Sequence, residues 1–366
     1  MIKSYLLLII ALISFSSFQT TPKTIDPIVL HDEKLAIASK EYFIAKITDE
    51  RTDKLPIATL IAASTIKGAP PKSYTADLRG GAATAIKQFI AQNLPRNTSL
   101  RPIAVILKQI SIKETAVTGN RVEGHVTLVF SFGIDRGEDL DVLPLASYNG
   151  SAVYNRDITQ TQNIEPMLRR VLINGLSYLD NWMNRQVATN INLAYAVKVA
   201  FSDYEDKAQG DSIYYSIKRP LTWADFQSKV PTSRYEAEVF PILGYDEHAE
   251  VINGVVNLHL SVKACLPKSA AWAKPGAQTA YTLNHEQRHF DIVKIAAEHF
   301  KQKIKALKLP PDNYDGPINE EYLDAYREMN SLQKQYDAET AHGTITAEQQ
   351  KWNEKIDREL KELGVK

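Results

Sequence analysis

The chain has 366 residues, which at about 100–200 residues per domain points to two or three domains. With 44% hydrophobic and 23% charged residues it is ordinary globular material, which excludes wholesale disorder and fibrous repeats. Lys plus Arg and Asp plus Glu each number 43, so no net charge recruits nucleic acid or an anionic membrane, and the single Cys265 excludes an intramolecular disulfide or a multi-cysteine metal site.

Residues 1–20 combine Lys3, an apolar run over 5–13 and the small residues Ser14, Ser16 and Ser17. That order is the grammar of a signal peptide. The apolar core is well short of the roughly 20 residues that span a bilayer. No cysteine follows it, so attachment as a lipoprotein is not expected. The expectation is an exported protein, periplasmic or secreted, with no transmembrane span once residues 1–20 are removed.

A strand is predicted over 42–48, then a helix over 77–94 with Ala82, Ile86, Phe89 and Ile90 on one face, closed by Pro95. Residues 80–81, Gly-Gly, fit a loop–helix junction, because neither G-x-G-x-x-G nor a P-loop lysine accompanies them. A buried strand is predicted over 103–112 and a half-buried one over 121–132, where Val122, Val126, Leu128, Phe130 and Phe132 alternate with Glu123, His125, Thr127 and Ser131. Gly119-Asn120 between them is a hairpin signal. A strand over 148–154 and a helix over 164–182 complete an expected N-terminal α+β domain, residues 25–202, on an antiparallel sheet.

The polar stretch 203–211 reads as a linker, and a second domain is expected over 210–366. Extended segments are predicted at 214–217, 221–223 and 235–240, and the longest strand of this part at 255–265. From about residue 280 the pattern turns helical: 282–307, 319–341 and 346–363, with breaks at Pro310-Pro311 and Gly316-Pro317. Thr346 and Gln349 have the spacing of a capping box. Cys265 reads as a small buried hydrophobe, and Trp223 as a packing anchor.

The first of those helices carries His285-Glu286-Gln287-Arg288-His289, an H-E-x-x-H. Positions i and i+4 share a helix face one turn apart, so two imidazoles can hold one tetrahedral zinc ion at about 2.0–2.1 Å. Glu286 sits one step round, where it can take a proton from zinc-bound water and pass it to a leaving amine. A catalytic site needs a third protein ligand and an open fourth position. His299 is nearly three turns further on, too far to share the ion, and Asp291 points round the helix. The next helix ends in Tyr336-Asp337-Ala338-Glu339-Thr340-Ala341-His342-Gly343. With Gly343 suited to the position after the helix, His342 is the first choice of third ligand, Asp337 the second and Glu339 the third. Asp337, Tyr336, Thr340 and Asp291 are the candidates to orient a ligand or steady the transition state.

Leu221-Thr222-Trp223-Ala224-Asp225-Phe226, then Asn284 to Ile292 around the H-E-x-x-H, then Tyr336-Asp337-x-x-Thr340-x-His342-Gly343 with Trp352 beyond, together resemble the DUF922 family, described as predicted secreted zinc-dependent proteases. The blocks stand in the family's order and span about residues 210–363. The resemblance implies a zincin-like metallopeptidase whose third ligand lies in the last block. Arg288 departs from the family pattern, where a small residue is common; facing the site it would crowd it, facing solvent it would not. In zincins an edge strand ahead of this helix pairs with the extended substrate, a place that 255–265 could take, although an ordinary core strand fits it too.

The reading is an exported α+β protein of two domains: an N-terminal antiparallel sheet with helices, of unknown task, and a zincin-like domain whose small sheet precedes the helices. Zinc would be held by His285, His289 and His342 or Asp337, with Glu286 as general base and a peptide or protein as substrate. The rival is a non-catalytic envelope or secreted binding protein with a structural or vestigial zinc site. Oligomeric state leaves no trace in the sequence.

Overall fold

The computed structural model of the protein describes residues 26–64, 66, 68–160, 164–204 and 210–366. The signal-peptide expectation over 1–20 and most of the expected linker lie outside these residues. The chain divides into two compact units, Met1–Arg185 and Gln186–Lys366.

The first unit contains β1 (Tyr42–Asp49), β2 (Ala58–Ala62), β3 (Lys72–Ala76), α1 (Ala82–Asn93), β4 (Arg101–Val117), β5 (Arg121–Ile134), β6 (Leu143–Asp157) and α2 (Ile164–Gln186). Its sheet runs β3-β2-β4-β5-β6, with β1 also on β4. The β4–β5–β6 meander is antiparallel, but β1 and β2 both run parallel to β4, along the edge opposite β5. The sheet is therefore mixed, not antiparallel as expected. A parallel partner requires a long crossover, and the segment from β1 to β4, α1 included, supplies it. α1 starts at Ala82 rather than near residue 77, because β3 occupies 72–76 and Gly80 and Gly81 sit at φ 79° and 83°, outside the right-handed helix. The alternation expected for β5 holds: Val122, Val126, Leu128, Phe130 and Phe132 are fully buried. β2 and β3 are short strands that the hydrophobic pattern does not announce.

One ionic cluster is buried here. Glu114 on β4 accepts from Arg156 Nε (2.8 Å) and Nη2 (2.6 Å), from Tyr154 Oη (2.6 Å) and from the amide of Ile61 (2.7 Å). Arg156 also donates to the carbonyl of Ile61 at 2.6 Å, so β2, β4 and β6 are tied at one point.

The second unit contains β7 (Ala196–Asp203), β8 (Ser212–Tyr214), β9 (Ala237–Glu238), β10 (Ile242–Ile252), β11 (Val255–Pro267), β12 (Trp272–Ala273), α3 (Ala280–Ala306), α4 (Asp315–Thr340) and α5 (Thr346–Glu362). β11 pairs antiparallel with β10 on one side, and with parallel β7 and antiparallel β8 on the other. The expected boundary at 202–210 thus moves to 185–186, since β7 needs β11 to satisfy its backbone. β11 is a central strand with both edges taken, which removes it as a strand for a substrate to extend. Cys265 is half-buried rather than enclosed, on the alternate face of β11, and burial raises its thiol pKa.

The remaining expectations shift locally. The strand expected at 214–217 lies earlier, as β8, and shares only Tyr214 with it; 235–240 contracts to β9, which pairs with β12, and 221–223 gives way to a short 3-10 turn over Trp223–Asp225. Trp223 packs against Phe226 with ring centroids 4.8 Å apart. α4 begins at Asp315, with Pro317 in its first turn where no intrahelical amide is lost. Among the described residues, no helix is long and apolar enough to cross a membrane.

α3 is the structural axis of this unit. Phe290, Val293, Ala297 and Phe300 face the sheet residues Leu258, Leu260 and Val262, while Ile292 and Ile295 join Tyr336, Trp352, Ile356 and Leu360 from α4 and α5. A helix covered on two sides needs apolar residues around most of its girth, as this one has between residues 290 and 297. The H-E-x-x-H therefore sits on a rigid element, one turn past its start.

Candidate metal centre

His285 and His289 lie on the same face of α3, with ring centroids 5.0 Å apart and planes at 89°. Asp337, in the last turn of α4, brings Oδ1 to 3.4 Å from Nε2 of His285 and 3.0 Å from Nε2 of His289. One donor atom from each of the three residues falls within 4.8 Å of the others, the only such cluster of metal-ligating types among the described residues. The second choice of third ligand, Asp337, is the residue brought into the cluster. His342, the first choice, is not.

The reason lies at the end of α4. Ala341, His342 and Gly343 follow one another at φ 47°, 51° and 77°, an unusual run of left-handed conformations. This turn swings His342 out of the helix line and stacks its ring on Tyr235, centroids 3.7 Å apart. Its Nδ1 remains 3.2 Å from Asp337 Oδ1, the same oxygen that the other two rings approach. Gly343 is required where it stands: a Cβ there would meet the His285 ring at 3.2 Å. The Tyr281 hydroxyl, donating to the carbonyl of Gly343 at 2.6 Å, pins this loop to α3.

Each imidazole is held from behind by a carboxamide. His285 Nδ1 lies 2.8 Å from Gln349 Oε1 on α5. His289 Nδ1 is hydrogen-bonded to Gln333 Oε1 on α4. Gln333 Nε2 donates to the carbonyl of His289 at 2.9 Å, which leaves its oxygen as the acceptor for the ring. With Nδ1 as donor, each Nε2 presents a lone pair to the space around Asp337 Oδ1. Tyr336 is fully buried and stacks on His285 with centroids 4.7 Å apart. Its hydroxyl donates towards Gln349 Oε1 (2.9 Å) and accepts from Gln349 Nε2 (2.6 Å). It therefore steadies the ring from behind instead of facing the cleft.

The other candidates are engaged elsewhere. Thr340 donates to the carbonyl of Tyr336 and accepts from the amide of Gly343, closing the helix end. Asp291 accepts from Tyr215 Oη, Gln287 Nε2 and Arg288 Nη1, away from the cluster. Glu339 accepts from Gln335 and from Trp352 Nε1. Arg288 points to Asp357 and Asn353 on α5, so its bulk does not crowd the site. Leu221 donates its amide to Gln287 Oε1 at 2.8 Å, joining the Leu-Thr-Trp block to the H-E-x-x-H helix.

The electrostatics of the cluster are dominated by burial and by the carboxylate–imidazole contacts. Glu286 is 2% exposed and its Oε2 is buried with no hydrogen-bond partner, while Asp337 Oδ1 is buried against the imidazoles. Unpaired buried carboxylate oxygens are costly unless a charge or a donor completes them. Burial pushes the Glu286 pKa up. Burial would also raise Asp337, but the facing His285 and His289 hold it far below the usual carboxylate range. His289 is raised, because Asp337 and Glu286 outweigh the burial that would lower it. His342 is lowered by burial and by its two neighbouring imidazoles, despite Asp337. Two imidazoles that present Nε2 and a carboxylate oxygen are a donor set of the kind zinc takes. One side stays open: His285, Glu286, Asp337 and His342 line a cleft of about 850 Å³ with Arg234, Tyr235 and Glu236.

Gln333, Gln349 and Tyr235 were not anticipated. Gln333 could have been found as the residue one turn before Asp337 on the same face of α4. Gln349 lies on the stripe of Trp352, Ile356 and Leu360, a polar residue on a buried helix face.

No curated protein matches the chain. Among solved structures it is similar to a Xanthomonas campestris protein of family-model DUF330, at 11% identity over 44% of this chain and 97% of that one, TM-score 0.27. It is also similar to a minor lipoprotein from Acinetobacter baumannii, at 14% identity over 40% and 96%, TM-score 0.20. Residues 254–343, which hold β11, α3 and α4 with His285, His289 and Asp337, match the family model described as a bacterial protein of unknown function, DUF922, and this match supports that family for the segment.

Proposed function

We propose that the chain is an exported zinc-dependent metallopeptidase, with zinc held by His285, His289 and Asp337 and with Glu286 as general base. The observation that carries this reading is the convergence of two Nε2 atoms on one buried carboxylate oxygen, beside Glu286, whose Oε2 is buried without a hydrogen-bond partner, at the floor of an open cleft. A zinc ion bound there would polarise a peptide carbonyl and ease deprotonation of water near neutral pH. Glu286, made more basic by burial, takes the proton of the attacking water and returns it to the leaving amine. His342, kept neutral by its surroundings and standing at the cleft, can donate a hydrogen bond to the developing oxyanion.

One wall of the cleft suits an extended peptide. β9 pairs with β12, and the residues leading into it, Arg234 to Ala237, line the cleft beside α3. A peptide can add to that segment through main-chain hydrogen bonds. The leader-like residues 1–20 support a location outside the cytoplasm.

Metal analysis of the purified chain tests the site. One zinc per chain is expected in the wild type and in His342→Ala, and none in His285→Ala or Asp337→Ala. Glu286→Gln should keep its zinc and lose about 100-fold or more of peptide hydrolysis. Zinc retained by Asp337→Ala, iron in place of zinc, or hydrolysis that survives Glu286→Gln would sink the proposal.

A further inference from the structure

The first unit holds a second cavity, independent of the metal centre. It lies between β1 and α1, with a volume of about 200 Å³. For comparison, a cavity of about 150 Å³ accommodates benzene. Ser39 and Tyr42 line it; they are 4% and 1% exposed, the Ser39 hydroxyl is buried with no hydrogen-bond partner, and the Tyr42 hydroxyl stands beside the Asp180 carboxylate. A buried hydroxyl left without a partner is costly unless something completes it. Ser39 also sits at φ 35°, a left-handed conformation strained for a residue with a side chain.

The walls and rim are of different chemistry. Ile44, Ile90 and Leu94 give apolar walls, while Lys46, Lys87 and Arg96 stand exposed at the rim. None of those three cations has an ion-pair partner among the described residues. A bulge at Ala45 breaks the pairing of β1 with β4, and the successive residues 44 to 47 all line the cavity, which a regular pleat would not allow. Burial, and then the Asp180 carboxylate beside it, push the Tyr42 phenol well up, so it stays a neutral group. That carboxylate also disfavours a negative charge at the inner end.

We infer that this cavity binds a small hydroxylated organic anion, its charge at the Lys46–Lys87–Arg96 rim, its apolar body against Ile44, Ile90 and Leu94, and its hydroxyl against Ser39 and Tyr42. The space admits one ring or a short chain with a substituent at each end.

The test is titration of the full chain with 4-hydroxybenzoate and 6-hydroxyhexanoate, followed by calorimetry and by nuclear magnetic resonance. At least one should bind saturably, one per chain, with Kd below about 1 mM. Benzoate and hexanoate, which lack the hydroxyl, and 4-hydroxybenzamide, which lacks the charge, should bind about tenfold more weakly. Tyr42→Phe with Ser39→Ala should abolish the preference for the hydroxyl. Lys87→Glu with Arg96→Glu should weaken binding about tenfold or more. Ala91→Phe, on the exposed side of α1, should block it while leaving thermal unfolding unchanged. The inference is overturned if neither probe saturates by about 10 mM, if the analogues bind as well, or if these variants, folded, bind as the wild type does.

Discussion

Oε1 of Gln349 on α5 lies 2.8 Å from Nδ1 of His285 on α3, across 64 positions of sequence. This contact, with its counterpart from Gln333 to His289, decides which nitrogen of each ring faces Asp337. Carboxamides so placed orient an imidazole without competing for the ion. Replacing either glutamine by leucine keeps the volume and removes the acceptor. Each change should lower zinc affinity about 10- to 100-fold. A competition titration against a chelator of known affinity reads this directly, and an affinity unmoved in both variants would deny the glutamines their orienting role.

Much of this arrangement is legible in the sequence, and the illegible parts have physical causes. The i, i+4 spacing of His285 and His289 dictates a shared face once α3 is granted, and the apolar residues from Phe290 to Phe300 grant it. The alternation in β5 is equally plain, because one of its faces is buried along its whole length. β10 escapes notice since most of its residues, Asp246, Glu247 and Glu250 among them, are at least partly exposed on both faces and leave no period of two. The third member of the cluster turns on backbone geometry: three left-handed residues after α4 carry His342 onto Tyr235 and leave Asp337 facing the rings. No residue pattern announces such a turn. Thr346 and Gln349 have capping-box spacing, yet Ile345 is the cap residue and Gln349 faces inward, because a buried histidine nitrogen needs an acceptor more than an exposed helix end does.

The first unit offers a test of a buried ion pair. The facing side chains of Arg156 and Glu114 are 1% and 0% exposed, and Tyr154 Oη and the amide of Ile61 take part in the same cluster. Removing one partner strands a charge where water cannot reach it. Glu114→Ala or Arg156→Ala should therefore destabilise this unit by about 3–5 kcal/mol. The double change to apolar residues of similar size, Glu114→Met with Arg156→Leu, should cost clearly less than either single deletion. Urea unfolding of the three variants measures the difference, and a double variant as unstable as the sum of the singles would show that hydrogen bonds, not the stranded charge, dominate.

A pH test can be made away from the metal centre, on the bridge between α3 and α4. His299 Nδ1 and Glu328 Oε1 are 2.6 Å apart, and both side chains are about three-quarters buried. The hydrogen bond that His299 donates to Glu328 raises His299 above its ordinary value of 6.5 and lowers Glu328 below its ordinary value of 4.5. A raised histidine stabilises the fold fully below 6.5 and ceases to do so as pH climbs through its folded value. A lowered glutamate stabilises it above 4.5 and ceases to do so as pH falls through its folded value. The bridge is thus at full strength between about pH 4.5 and 6.5 and weakens in alkali as His299 loses its proton. Glu328→Gln should cost up to about 1 kcal/mol at pH 5.5 and much less at pH 9, read as the shift in urea midpoint at constant slope. An equal cost at both pH values would mean that the contact stabilises α3 against α4 by packing and neutral hydrogen bonding, with no part played by the histidine's charge.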